Sequence, residues 1–143
     1  MKKSLFLLVF LFLNITVFSQ TADALLGKWV NKDGEANIQI YKKGANYFGK
    51  LVWLKKPNNE TGKAKVDLNN PESSLKNRPI LGLEILKNFS YTDGTWEGGS
   101  IYDPKSGKTY SCVMTLKSND QLNIRGYLGF SFIGRTDTWS RVK

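Results

Sequence analysis

A chain of 143 residues with 21 basic and 12 acidic side chains has a formal charge of +9, and it holds one cysteine and no histidine. One cysteine excludes an internal disulfide, and the missing histidine excludes serine–histidine and cysteine–histidine dyads and every histidine-based metal site. The length suits one domain around one core.

The chain begins with Lys2 and Lys3, then the apolar run "LFLLVFLFLNITVF", then Ser19. Val17 and Ser19 suit the small-residue positions of a cleavage site before Gln20, so residues 1–19 read as a signal peptide. The apolar core is short for a permanent span. Residues 20–143 then form one exported domain, periplasmic or secreted. Removing 19 of 143 residues leaves 124, and losing Lys2 and Lys3 lowers the charge from +9 to +7. A basic exported protein suits peripheral contact with anionic envelope components, and its compartment disfavours nucleic acid. Its lysines (Lys42, Lys43, Lys55, Lys56, Lys63, Lys65) are also scattered enough to serve solubility alone.

Short segments rich in β-forming residues follow, set between turn signals. "GKWV" (27–30) meets a turn at Asp33-Gly34, and "EANIQIYKK" (35–43) alternates apolar Ala36, Ile38 and Ile40 with Asn37 and Gln39. "YFGKLVWL", "PILGLEIL", "TWEGGSIY", "TYSCVMTL", "QLNIRGYLGFSF" and "IGRTDTW" complete about eight strands, most joined by short Asp-, Asn- and Gly-containing turns. This order predicts an all-β fold, an antiparallel up-and-down β-barrel. Gly49, Gly82, Gly98, Gly99, Gly126 and Gly129 serve as kinks that let a small sheet curl on itself. A two-sheet sandwich is the other arrangement. The faces opposite the apolar ones carry Asn37, Gln39, Asn123 and Arg125, which suit water rather than lipid.

Residues 55–79 form the one long gap, a lid or binding loop. Asn70-Pro71-Glu72 reads as a helix cap, first-turn proline and favourable acid, which predicts a short helix over "PESSLKN".

"GKWVNKDGEANIQIY", "GKLVWLKKPN", "NPESSLKNRPILGLEIL", "WEGGSIYDPKSGKTYSCVMTL" and "IRGYLGFSFIGRTDTWSRV" together resemble an exported bacterial family catalogued as domain of unknown function 2147. The likeness runs through the whole domain in order. The family has no established activity, and the resemblance implies a calycin barrel, like those of lipocalins and fatty-acid-binding proteins. Gly27-x-Trp29 matches the short calycin signature. In calycins that tryptophan packs on a basic residue from the end of the last strand, which here is Arg135 or Arg141. The resemblance therefore implies a barrel closure built from Gly27, Trp29, Arg135, Asp137, Trp139 and Arg141. Asp137 would orient the guanidinium.

An eight-stranded barrel is either filled by its own side chains or holds one small ligand. Tyr110, Cys112, Met114 and Leu116 share one face, as do Leu122, Ile124, Leu128 and Phe130. Tyr47, Trp53, Arg78, Tyr102, Tyr110, Met114 and Arg125 are candidate ligand-binding residues, although ordinary packing explains each of them too. Cys112 has no histidine to activate it and reads as a packed thiol. Asp33/Glu35 and Glu97/Asp103 are carboxylate pairs that turn chemistry also explains. "DLNNPE" (67–72) lacks the proline-free body and terminal glutamate of a calcium loop, so no metal or cofactor is implied. The reading is an exported, non-catalytic barrel binding a small apolar or amphipathic ligand. The alternative is an envelope interaction or structural module with a filled interior.

Overall fold

The computed structural model describes residues 21–129 and 133–143, so the leader reading and Phe130 lie outside the described residues. A single 3-10 turn (Ala22–Leu25) enters eight strands: β1 (Gly27–Val30), β2 (Ala36–Lys43), β3 (Asn46–Leu54), β4 (Glu84–Thr92), β5 (Thr95–Asp103), β6 (Lys108–Ser118), β7 (Gln121–Tyr127) and β8 (Gly134–Arg141). Each strand pairs with its successor, and β1 pairs with β8 through Trp29 opposite Arg141 and Val30 opposite Ser140. The sheet is therefore a closed antiparallel barrel with no free edge.

Two strands differ from the sequence reading. β4 begins at Glu84, because Gly82 turns at a φ of +89° and its N–H bonds to the Leu51 carbonyl (2.7 Å) outside the ladder. Residues 79–83 therefore belong to the long excursion, and the strand runs on to Thr92. β7 stops at Tyr127, and Leu128 is 58% exposed rather than inward. Gly49, Gly98, Gly99 and Gly126 lie within strands, while Gly82 and Gly129 do not. The helix expected after Asn70 is one 3-10 turn, Ser73–Leu75. Asn70 does not cap it; its Oδ1 accepts from the Glu72 N–H two residues on (2.8 Å), a turn that uses up the same side chain.

The two ends of the barrel are unlike. The tight β2–β3, β4–β5 and β6–β7 hairpins and the N-terminal turn share one end, which is solid. Trp29, Trp96, Tyr47, Phe89, Leu25 and Leu122 are fully buried there. Indole N–H groups of Trp29 and Trp96 donate to the carbonyls of Leu25 and Ala22 (both 3.0 Å), and the Tyr47 hydroxyl donates to Asp23 (2.6 Å). The N-terminal turn is thus a plug stitched to the core. The β1–β2, β3–β4 and β5–β6 connections lie at the opposite end.

The guanidinium over Trp29 is that of Arg141, 4.2 Å from the ring centre. Its three nitrogens donate to the carbonyls of Asn119 (2.7 Å), Leu26 (2.9 Å) and Ala24 (2.8 Å), tying the last strand to the plug and to the β6–β7 hairpin. Gly27 makes room for it: a Cβ there would lie 2.8 Å from Arg141 Nη1, at a φ of +131° that disfavours other residues.

Candidate functional site

Above the solid half, the barrel is hollow. A cavity of about 1010 Å³ opens among the β1–β2, β3–β4 and β5–β6 connections. That is at the upper end of the range for small-molecule sites. Its wall is built by alternation: inward residues of successive strands present Ile38, Leu51, Ile85, Ile101, Tyr110 and Ile124, and Trp139 lies deepest on β8. Gly126 adds a bare patch. The polar exception is Arg135, whose Nε and Nη2 donate to the Asp137 carboxylate at 3.2 and 3.3 Å. The rim carries Lys32, Lys55, Lys56, Lys65 and Lys105 beside Asp33, Glu35 and Asp103.

The excursion between β3 and β4 forms one side of the mouth, and a buried carboxylate anchors it. Asp67 is fully buried and accepts from the Tyr102 hydroxyl (2.6 Å), Arg78 Nε (2.8 Å) and Asn70 Nδ2 (2.9 Å). Burial alone would raise its pKa, yet these donors and the Arg78 charge outweigh burial and hold the carboxyl below its ordinary value. Tyr102 is pushed up by burial and by donating to Asp67. The Asn69 side chain adds a bond to the Lys105 carbonyl (2.9 Å), so the excursion is also fastened to the β5–β6 turn.

This arrangement redistributes the candidate residues. Tyr110 and Tyr102 line the cavity. Tyr47 does not: it is core, with its hydroxyl held by Asp23 and pushed up to about 12 by burial first and then by that bond. Met114 is buried in the packed half rather than at the ligand space. Trp53 faces outward, 45% exposed. Arg78 is engaged by Asp67, and Arg125 reaches Thr136 Oγ1 (3.1 Å) on the outer face of the neighbouring strand. Depth along the barrel or an outward-facing position removes the four strand residues from the cavity, and its ion pair with Asp67 occupies Arg78 in the excursion.

Three residues move the other way. Arg135, Asp137 and Trp139 were expected at the closure with Trp29; they line the cavity instead. Asp137 pairs with Arg135, not with Arg141, because two residues per step along β8 separate the mouth from the base. Ile38 and Ile124 were legible as members of apolar faces, but nothing local in sequence distinguishes cavity residues from core, and Ile85 and Ile101 carried no such signal.

Cys112 is buried, and burial pushes its thiol up to about 12. It should resist a thiol reagent such as 5,5′-dithiobis(2-nitrobenzoate) at pH 8 until denaturant is added. Rapid stoichiometric labelling of folded protein would contradict this placement.

Comparison with known proteins bears on the fold. The model of a family described as "uncharacterized protein conserved in bacteria (DUF2147)" matches residues 27–141. Among solved structures, the chain is similar to protein HP1028 from the human pathogen Helicobacter pylori, described as belonging to the lipocalin family. The TM-score is 0.73 at 23% identity, and 83% of each chain is covered. A search of curated proteins finds no match.

Proposed function

This chain belongs to the bacterial family DUF2147, and on that premise we propose that its barrel holds a small apolar or amphipathic molecule in the hollow half. The observation that carries this is the cavity itself, about 1010 Å³, with a wall of isoleucine, leucine, tyrosine and tryptophan. Such a wall excludes no apolar ligand by charge and offers one ion pair, Arg135–Asp137, for orientation. Burying apolar surface there contributes roughly 25 cal/mol per Å² removed from water. The lipocalin-like fold is compatible with this use. The protein acts after export, in the periplasm or outside the cell; the basic start and apolar run of residues 2–18 support that part.

Gly126 offers the test. A Cβ built on it lies 3.5 Å from Tyr110 Cβ and 3.7 Å from Ile101 Cγ2, ordinary contacts, so a large side chain can extend into the space. The neutral fluorophore N-phenyl-1-naphthylamine should bind the wild type. Gly126→Phe should weaken it by about tenfold or more, equivalent to ~1.4 kcal/mol, without lowering the urea midpoint. A wild type that excludes the probe, or a variant that binds it equally, would refute the reading.

A further inference from the structure

The mouth of the cavity is crossed by an ion pair. Glu35 closes the β1–β2 turn, and Lys105 lies in the β5–β6 turn; in a ring of eight strands these turns stand on opposite sides. Lys105 Nζ nevertheless reaches Glu35 Oε2 at 2.6 Å. Both ends are fastened: the Glu35 carbonyl accepts from the Lys55 N–H (2.8 Å), and the Lys105 carbonyl accepts from Asn69. Lys105 holds the Glu35 carboxyl below its ordinary value, and the charges of Lys56 and Lys65 act in the same direction. Lys105 therefore pairs with a carboxylate at the entrance to an apolar space, and Lys56 and Lys65 line the same rim.

We propose that Glu35 is an internal stand-in for the anionic headgroup of an amphipathic ligand. A carboxylate or phosphate would take its place among Lys105, Lys56 and Lys65 while the tail lies in the cavity. The inference rests on the cavity being a binding site, and it specifies the ligand's polar end. Two further observations favour it. Arg135, the exposed guanidinium near the start of β8, is already matched by Asp137, so an added anion gains most among the rim lysines. The Glu35 and Lys105 side chains are 50% and 78% exposed. A solvent-exposed pair of this kind is weak and readily exchanged for another anion. The third candidate rim acid, Asp103, is occupied within its own turn by the Lys105 N–H (3.0 Å) and Ser106 Oγ (2.8 Å).

Displacement of N-phenyl-1-naphthylamine by dodecanol, dodecanoate and dodecyl phosphate separates the headgroup from the tail. In the wild type the two anions should displace the probe at about tenfold lower concentration than dodecanol, an advantage that shrinks with added salt. In a Lys56→Gln/Lys65→Gln variant that advantage should fall to about twofold, with dodecanol unchanged. Glu35→Gln removes the competing carboxylate and should tighten both anions by about threefold or more, again leaving dodecanol unchanged. Equal displacement by all three amphiphiles, or weaker anion binding in Glu35→Gln, overturns the inference while probe binding keeps the cavity reading intact. Failure of the probe and of dodecanol to bind overturns the cavity reading, and this inference with it. Preference between the two anions distinguishes a carboxylate from a phosphate source.

Discussion

Replacing Trp29 by alanine is expected to lower the unfolding free energy by about 3–5 kcal/mol, the cost of truncating a buried aromatic. The side chain is fully buried at the solid end. Its loss would leave a void beneath the plug, release the Leu25 carbonyl from the indole N–H and strip the Arg141 guanidinium of the ring it covers. Because Arg141 also binds the plug carbonyls, the damage should spread to residues 22–26 and to the β1–β8 seam. Trp29→Phe keeps most of the buried area and loses the N–H, so it should cost less by about 1–2 kcal/mol. Trp53→Ala, on an exposed ring, should stay within about 0.5 kcal/mol of wild type. Urea midpoints of the three variants test the ranking; an unchanged midpoint for Trp29→Ala would mean that the closed end does not depend on this contact.

The second large effect belongs to Asp67. Asp67→Ala removes the acceptor for three donors, two of them on the excursion itself, and should destabilise the protein by about 2–4 kcal/mol. The excursion should detach first, so trypsin should cut after Lys63 or Lys65 far sooner than in wild type. The same group sets an acid limit. Its folded pKa lies below its unfolded one, so ionised Asp67 stabilises the fold above the unfolded value, about 3.9. That contribution is lost as pH falls through the depressed folded value. Urea midpoints from pH 7 to pH 2.5 should therefore fall in wild type below about pH 4 and fall less steeply in Asp67→Asn. Parallel curves would show that Asp67 is not the linked group.

These two residues illustrate how unevenly the site was written into the chain. Trp29 could be singled out from its place in a Gly-x-Trp strand opening. Asp67 sits in a polar loop among Asn69, Asn70 and Glu72, where nothing marks one acid as buried. Its environment is made by Tyr102, 35 residues away. Tyr47 and Trp53 show the converse. Both are aromatic residues on β3 that strict alternation would put on one face, yet one is core and the other faces solvent, because the β-bulge between Leu51 and Trp53, where the register against β2 shifts, turns Trp53 outward.

Alternation of apolar and polar residues, together with Asp-, Asn- and Gly-bearing turns, was enough to determine eight antiparallel strands in sequential order. Those signals are local, and hairpin pairing needs only neighbours. Alternation reports inside or outside, but it carries no coordinate along the barrel axis. Tertiary structure alone decided that Arg141 reaches the base while Arg135 and Asp137 line a hollow. It also decided that Glu35 and Lys105 meet across the mouth. Tilt and stagger of the closed sheet set those heights, and they emerge only when β1 meets β8.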